Sequence, residues 1–370
     1  MSDPLGDSPA GACPVVGMRG PCNTCSVSRV VARFSAMESL QVAVDEAAER
    51  TGFSGVVRLD RSGEAELCSA YGFADRAHGI LNTVETQFAM ESGTKGLTAL
   101  TVMSLVERRT LALDTTARSL LGEDLPLIAD DVTVEQLLAH RSGIGDYLDE
   151  DTLDDIADYV MPVPVHELAT TEQYVPALDG YETAFPAGER FVYNNGGYVV
   201  LALLAERASG VDFHQLVRTL VCEPAGMVDT AFLRSDELPG RAALGYLADD
   251  GLRTNVFHLP VLGNGDGGVY STAADLSAFW DALFTGRIVA PERVAEMVRP
   301  HSDWPEESRR YGLGFHVHAT ADGVWLEGHD AGVSFTSAHE PSSSITYTVI
   351  SNWSEGAWPI VKLLEDRIDT

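Results

Sequence analysis

Residues 92–109 read SGTKGLTALTVMSLVERR and hold the most informative spacing of the chain. Ser92 precedes Lys95 by three positions, so the two side chains share a face if a helix starts at or just after the serine. Apolar residues recur at intervals of mostly three or four from Leu97 onward, which predicts that helix. A serine at a helix N-terminus with an amine one turn away is the smallest arrangement that activates a hydroxyl without histidine.

A serine three residues before a lysine also occurs on solvated helix faces, and taken alone the motif leaves that interpretation open. The composition favours a chemical role. Of 25 basic residues only Lys95 and Lys362 are lysines, and the others are arginines. A lysine desolvated in a pocket gives up its proton near neutral pH, whereas arginine does not, and a proton acceptor for serine needs that property.

The composition also limits the class of protein. The chain has 370 residues, 45% of them hydrophobic, and a formal net charge of −30. We expect no nucleic-acid partner, because phosphate contacts need a basic surface. We expect no membrane partner and a cytoplasmic location, because no long apolar run is present and residues 1–25 lack a signal-peptide pattern. The acidity either favours neutral or cationic substrates or belongs to a solvated surface.

The patterning predicts one large domain at residues 37–370 after an extension at residues 1–36 that is rich in Gly, Pro, Ser and Cys. Strand patterns occur in residues 37–90 and 265–370, and a mainly helical lobe at about 97–260 is inserted between them. Strands at both ends predict an α+β fold in which one antiparallel sheet is flanked by helices.

Five cysteines are too few and too scattered for a disulfide framework. In the extension, Cys13 precedes Cys22 and Cys25, which have the spacing of half a zinc ribbon, but a fourth ligand is missing. Structural metal, redox pairing and an incidental extension remain alternatives there. His316 and His318 share a strand face without a third ligand, so we expect no metal and no cofactor at the catalytic site.

Two later segments extend the serine-lysine motif. Tyr193-Asn194-Asn195 comes just before an apolar helix pattern, and Gly328-His329-Asp330-Ala331-Gly332 lies between two strand patterns. This order resembles the serine β-lactamase and penicillin-binding-protein superfamily, in the class C β-lactamase-like branch that also holds DD-peptidases, D-aminopeptidases and carboxylesterases. The resemblance covers roughly residues 37–370 and implies a β-lactamase/transpeptidase-like fold.

The resemblance implies a role for each matching residue. Ser92 would be the acylated nucleophile and Lys95 its activating partner. Tyr193 would take the serine proton and return it to the leaving group, while Asn195 would orient Lys95 and the acyl chain. His329 would stand where the family has a lysine or histidine, and with Lys95 it would stabilise a Tyr193 phenolate.

Further residues complete the expected site. The oxyanion would be held by the backbone N–H groups of Ser92 and Gly332. Ala331 replaces the family's usual glycine and would place a methyl group near the acyl pocket. Tyr147 belongs to an irregular acidic segment at residues 145–185, which is typical of a functional loop, although a solvated surface loop is an alternative.

We therefore predict a serine hydrolase that acts on ester or amide bonds of small molecules, most simply a carboxylesterase or an amidase/peptidase. The alternatives are a β-lactamase or D-amino-acid peptidase, and a non-catalytic binding protein on the same fold. Residues 263–268 satisfy the G-x-G-x-x-G pattern, but no strand precedes them, so we interpret them as a tight turn behind the site rather than as a dinucleotide site. The sequence gives no indication of oligomeric state.

Overall fold

The computed structural model describes residues 39–150 and 153–368. Cys13, Cys22 and Cys25 lie outside these residues, and so does the whole extension predicted at residues 1–36.

The strands group into one large sheet and two small ones. In chain order they are β1 (Gly55–Arg61), β2 (Glu64–Tyr71), β3 (Phe73–Asp75), β4 (Ile80–Leu81), β5 (Phe88–Ala89), β6 (Ala231–Phe232), β7 (Val269–Ser271), β8 (Ser302–Trp304), β9 (Arg309–Tyr311), β10 (His316–His318), β11 (Val324–Asp330), β12 (Val333–Glu340) and β13 (Ile345–Ser351). The large sheet has the order β2-β1-β13-β12-β11-β10-β9-β8, and its neighbouring strands are antiparallel.

The helices lie mostly between the two groups of sheet strands. They are α1 (39–51), α2 (Thr94–Glu107), α3 (Arg118–Leu121), α4 (Val134–Leu138), α5 (Val175–Leu178), α6 (Asn195–Ser209), α7 (Phe213–Val217), α8 (Glu223–Ala225), α9 (Ala273–Phe284), α10 (Pro291–Val298) and α11 (Trp358–Ile368). Thr133 accepts a hydrogen bond from Gln136 N in a capping box that begins α4, and Gly210 ends α6 in the left-handed conformation.

The large sheet contains strands from both ends of the described chain. β1 and β2 form a hairpin whose two-residue turn, Ser62 and Gly63, has φ values of 53° and 79°, as a type I′ turn requires. β1 then pairs with β13, so Gly55 lies opposite Ser351. This arrangement confirms the predicted α+β class with an antiparallel sheet and flanking helices.

The two faces of the large sheet are covered by different helices. On one face, Val56, Leu326 and Phe335 belong to the main core, together with α2, α6 and α9. On the other face, Val57 and Val349 form a second core with α1 and α11. Every residue of α2 from Thr94 to Leu105 is buried, so the helix that carries Lys95 lies inside the main core.

Several elements are absent from the sequence prediction. Strands β5, β6 and β7 form a small sheet of two- and three-residue strands, and β8 and β9 add two short strands at the edge of the large sheet. Such strands are too short to produce an alternating hydrophobic pattern. Residues 145–185, predicted to be irregular, contain short helical turns and a small apolar cluster that includes Tyr147, Leu168 and Tyr174. Among the helices that the structure describes, none has the length and apolar content to cross a membrane.

Candidate active site

Ser92 lies in a short turn that leads directly into α2. Glu91–Gly93 form a single 3₁₀ turn and the α-helix continues from Thr94. The predicted spacing therefore gives the expected geometry, because Lys95 projects back toward the serine and its Nζ donates to Ser92 Oγ at 2.8 Å.

Lys95 is enclosed by hydrogen-bond acceptors. Its side chain is 1% exposed, and besides Ser92 its Nζ donates to Asn195 Oδ1 at 2.7 Å and to the carbonyl oxygen of Asp266 at 3.0 Å. Three acceptors match the three N–H donors of an ammonium group. A buried lysine with this set of partners is fixed in position relative to the serine.

Asn195 begins α6 and connects Lys95 to the acidic segment. Its Nδ2 donates to Leu148 O at 3.1 Å and to Glu150 Oε1 at 2.9 Å. The Asp146 carboxylate accepts hydrogen bonds from the backbone N–H groups of Asn195 and Gly196, at 2.6 Å and 2.8 Å. A carboxylate at the N-terminus of a helix is stabilising there, so Asp146 anchors the segment that was expected to be a loop.

Tyr193 completes the group around the serine. The Ser92 side chain is close enough to its hydroxyl to lower the pKa of the phenol, and Lys95 Nζ lies 4.9 Å from the centroid of its ring. The ring stacks on Trp304 with centroids 5.7 Å apart and contacts the His140 ring at 4.4 Å. The structure thus brings Ser92, Lys95, Tyr193 and Asn195 together, although they lie on two separate segments of the chain.

Tyr193 holds its proton in the resting site. Desolvation, with the charge of Glu150 as a further cause, raises the pKa of its phenol well above the ordinary value, and the hydrogen bond to Ser92 opposes this only in part. The sequence prediction assumed a phenolate stabilised by two cations. In the structure Lys95 Nζ lies 4.9 Å from the centroid of the ring, and the charges of Glu150, Glu327 and Asp266 raise the pKa of the phenol.

Strand β11 passes directly beside the nucleophile. A Cβ atom on Gly328 would lie 2.2 Å from Met90 O and 3.1 Å from Ser92 N, so only glycine allows this approach. Because side chains alternate across a strand, Leu326, Gly328 and Asp330 are directed to the face that carries Ser92.

His329 is on the opposite face of β11, and its predicted place beside Lys95 is wrong in this structure. Its Nε2 lies 3.2 Å from Glu355 Oε1, and its ring contacts that of Trp358, the first residue of α11, at 5.8 Å. The strand register that places Gly328 against Ser92 turns the imidazole toward α11, so His329 does not stabilise the Tyr193 phenol.

Ala331 and Gly332 are likewise displaced from their predicted roles. Gly332 has a φ of 75° in the turn between β11 and β12, and its N–H donates to Ser354 Oγ at 2.9 Å. That donor is therefore not directed at an oxyanion. Ala331 is buried, its carbonyl accepts from Asn255 Nδ2 at 2.9 Å, and its methyl group is not part of the cavity lining.

Tyr147 and the glycine-rich residues 263–268 both belong to the site. A cavity beside Ser92 is lined by Tyr147, Asp266 and Gly267. The Tyr147 hydroxyl donates to the Asp266 carboxylate, and the Asp266 carbonyl accepts from Lys95. The glycine-rich turn is therefore part of the cavity wall, and its placement behind the site was wrong.

The sequence analysis missed an acidic wall of this cavity. Four carboxylates line it together with Ser92, namely Glu91, Glu150, Asp266 and Asp330. Each lies within or directly before a segment singled out in the sequence: Glu91 directly precedes Ser92, and Asp330 lies between His329 and Ala331. Acidic residues within or next to several of the predicted catalytic segments were the signal in the sequence from which this wall could have been predicted.

Burial of these carboxylates perturbs their titration. Burial raises the pKa of Glu91 well above its ordinary value, and the nearby charge of Asp330 raises it further. Burial likewise raises the pKa of Asp330 to about 7, and it raises the pKa of Asp266. Glu91 also has a φ of 36°, a left-handed conformation that costs of order 1 to 3 kcal/mol in a non-glycine residue and is typical of functional sites.

No three His, Cys, Asp or Glu side chains within residues 39–150 and 153–368 are arranged to hold a metal ion. His316, one of the two histidines considered for such a role, is buried and stacks on the rings of Trp304 and Trp325. His140 is also buried; its Nδ1 accepts from Asn194 N at 3.0 Å, and burial lowers its pKa well below the ordinary value. It therefore supports the turn before α6 as a neutral side chain.

The sequence profile of the Beta-lactamase family matches residues 40–364. The chain belongs to the Beta-lactamase family. This confirms the superfamily resemblance that the serine-lysine and Tyr193 segments indicated.

Relatives in the Beta-lactamase family include proteins with different names. The chain is 28% identical over 268 residues to the putative penicillin-binding protein PbpX of Bacillus subtilis, covering 72% of this chain and 62% of that protein. It is 29% identical to esterase EstB of Burkholderia gladioli, covering 72% of this chain and 75% of the esterase. The crystal structure of a penicillin-binding protein from Bacillus halodurans superposes with a TM-score of 0.82 at 34% identity, covering 87% of this chain and 99% of that one.

Proposed function

We propose that this protein hydrolyses ester or amide bonds of small molecules through an acyl-enzyme on Ser92. The observation that carries the proposal is the hydrogen bond from Lys95 Nζ to Ser92 Oγ, at 2.8 Å, next to the phenol of Tyr193, whose pKa the Ser92 side chain lowers. A serine between an amine and a phenol has both a proton acceptor and a proton donor within reach, which nucleophilic catalysis requires.

The protonation of Tyr193 and the hydrogen bonds of Lys95 limit the order of proton transfers in the proposed reaction. Tyr193 is protonated at rest, and Lys95 Nζ has three acceptors, so the pair must release one proton to bulk water before it can accept the one from Ser92. Attack of Ser92 Oγ on the carbonyl then transfers the serine proton to the pair. The same proton passes to the leaving group, and water attacks the acyl-enzyme by the reverse route.

The acidic wall favours particular substrates within this chemistry. Penicillins and cephalosporins carry a carboxylate, to which a cavity lined by Glu91, Glu150, Asp266 and Asp330 offers carboxyl groups rather than a strongly basic partner. Esters and amides without an anionic group do not meet this obstacle. The name of the Burkholderia relative, an esterase, is consistent with this choice, whereas the names of the two penicillin-binding relatives keep a binding role as the second candidate.

The proposal is tested with a fluorophosphonate probe and with p-nitrophenyl butyrate, followed by intact mass of the acylated protein. We expect labelling at Ser92 and its loss, together with turnover, in Ser92→Ala. Ser235 lines the same cavity and provides a matched control, since Ser235→Ala should keep the label. Labelling that persists in Ser92→Ala contradicts the proposal, and acylation without release of acid favours the binding role.

The same assay compares esters with lactams. We expect kcat/KM for p-nitrophenyl butyrate to exceed that for nitrocefin by at least about 100-fold, which corresponds to roughly 2.7 kcal/mol in transition-state stabilisation. Comparable values would favour a β-lactamase. The cytoplasmic location is part of the proposal and is tested by fractionation of cells that express the full chain.

A further inference from the structure

The cavity beside Ser92 combines four carboxylates with little basic compensation. Among the lining side chains in the described part of the chain, the one basic residue is His258, whose pKa is lowered by burial. Lys95 lies behind the serine, where its three N–H donors are taken by Ser92, Asn195 and the Asp266 carbonyl. The carboxyl groups of the wall therefore have no strongly basic partner among the side chains that line the cavity.

Three of these carboxylates have partners of their own. Asp266 accepts from the Tyr147 hydroxyl, Glu150 accepts from Asn195 Nδ2 at 2.9 Å, and one oxygen of Asp330 accepts from the backbone N–H of Ala331 at 2.7 Å. These hydrogen bonds give three carboxylates of the acidic wall a structural role that does not require a ligand.

Glu91 is different. Only 6% of this residue is exposed, and what is exposed faces the cavity. Within residues 39–150 and 153–368, no side chain or backbone N–H donates to its carboxylate. Because Glu91 lines the cavity, a ligand there can supply the donor that the protein does not, and this residue directly precedes the nucleophile.

Glu91 and Asp330 line the same cavity as Ser92. The close packing of Gly328 against Met90 O and Ser92 N sets β11 alongside the nucleophile turn, and Asp330 follows Gly328 on the same face of the strand. Their charges interact strongly enough to raise the pKa of Glu91. Two adjacent carboxylates that favour protonation in the empty cavity become ionised when a cation lies between them.

We propose that this pocket selects esters or amides that carry an organic ammonium group, held between Glu91 and Asp330. The proposal rests on the serine hydrolase function proposed above and specifies its substrate class. An organic cation fits better than a metal ion, because no group of three metal-ligating side chains occurs in the described residues. An ammonium also supplies the hydrogen-bond or close electrostatic partner that Glu91 lacks.

Two matched substrate pairs test the proposal, one for each side of the scissile bond. Butyrylthiocholine is compared with its neutral carbon isostere S-(3,3-dimethylbutyl) thiobutyrate, and alanine p-nitroanilide, as both enantiomers, is compared with its N-acetyl derivative. The readout is the ratio of kcat/KM for the charged substrate to that for the neutral one. We expect a ratio of at least about 10 in one pair, a difference of about 1.4 kcal/mol.

Variants that remove one carboxylate test which side chain causes the preference for the charged substrate. Glu91→Gln and Asp330→Asn should each bring the ratio to within about threefold of one. The neutral substrate, measured in the same variants, reports whether the site is still intact. Glu85→Gln removes the same charge from an exposed position nearby and should keep the wild-type ratio. Ratios near one for both pairs in the wild type, or ratios unchanged in both Glu91→Gln and Asp330→Asn, overturn the proposal.

Binding without turnover separates this inference from the proposed function. In Ser92→Ala, choline should raise Tm more than 3,3-dimethylbutan-1-ol at equal concentration and ionic strength, and Glu91→Gln in the same background should remove the difference. Failure of Ser92 to become acylated refutes the hydrolase function, whereas equal effects of choline and the neutral alcohol refute the ammonium site.

Discussion

The nucleophile-helix side and the strand side of the active site differ in how far the sequence determines them. On the helix side, Ser92 and Lys95 meet as their spacing predicts, with 2.8 Å between Nζ and Oγ. On the strand side, β11 presents Gly328 and Asp330 to the cavity and turns His329 away. An i, i+3 pair on a helix is fixed locally, whereas one residue of register moves every strand side chain to the other face.

The largest effect is expected on the helix side. Lys95→Arg should lower kcat by at least about 100-fold, nearly as much as Lys95→Ala, because a guanidinium does not cycle a proton. The buried slot, with acceptors at 2.7 to 3.0 Å from Nζ, is also too small for it. Lys362→Arg on the exposed face of α11 is the matched control and should keep wild-type kcat. Wild-type-like turnover in Lys95→Arg would mean that Lys95 contributes only a positive charge and does not transfer a proton.

The strand register is tested by Gly328→Ala. The added methyl group would lie 2.2 Å from Met90 O, so the strand must move away from the nucleophile, with a loss of about 1 to 3 kcal/mol in stability and a fall in kcat of roughly tenfold. Gly323→Ala, just before the same strand, meets nothing closer than 3.7 Å and should be nearly neutral. Thermal unfolding and steady-state kinetics measure both, and equal effects would contradict the described register.

A smaller effect concerns pH. Because the pKa of Asp330 is raised to about 7, this carboxyl is mostly neutral at pH 6 and mostly ionised at pH 8. The charges of Glu150 and Asp266 raise this pKa and the charge of Lys95 lowers it, and the charge of Asp330 in turn raises the pKa of Glu91. The preference for butyrylthiocholine over its neutral isostere should therefore increase severalfold between these pH values.

The ratio cancels any pH dependence of Ser92 acylation that both thioesters share, and the charge of butyrylthiocholine does not titrate. In Asp330→Asn the ratio should be flat with pH. A preference that falls as pH rises would contradict an ionised Asp330 as the cation's partner.

The smallest effect is expected for His329. His329→Ala removes a contact with Glu355 and Trp358 on the α11 face, so kcat/KM for a neutral ester should change by less than about threefold. Loss of a side chain that stabilises the phenol or the oxyanion lowers activity by about 100-fold or more. A fall of that size in His329→Ala would show that His329 takes part in catalysis and that the register of β11 differs from the one described.

The fold class could be predicted because the strands that pair over a long sequence distance also have local sequence patterns. These patterns are the β1–β2 hairpin and the regular strand patterns before α11. The sequence also identified the segments that meet at the site. It did not predict the acidic wall, since Glu91, Asp266 and Asp330 are adjacent only after three distant segments pack together. Nor did it predict the side-chain orientations on β11, because these depend on the approach of Gly328 to Met90 rather than on the motif.

The burial of Lys95 has a practical consequence for handling the protein. Amine-directed reagents distinguish the two lysines by access: Lys95 is 1% exposed, whereas the Lys362 side chain is 77% exposed on α11. Of the two lysine amines, coupling to an activated surface or a dye therefore uses Lys362, on the sheet face opposite Ser92. A protein attached through that residue has its cavity directed away from the support, and it should keep its catalytic activity after conjugation.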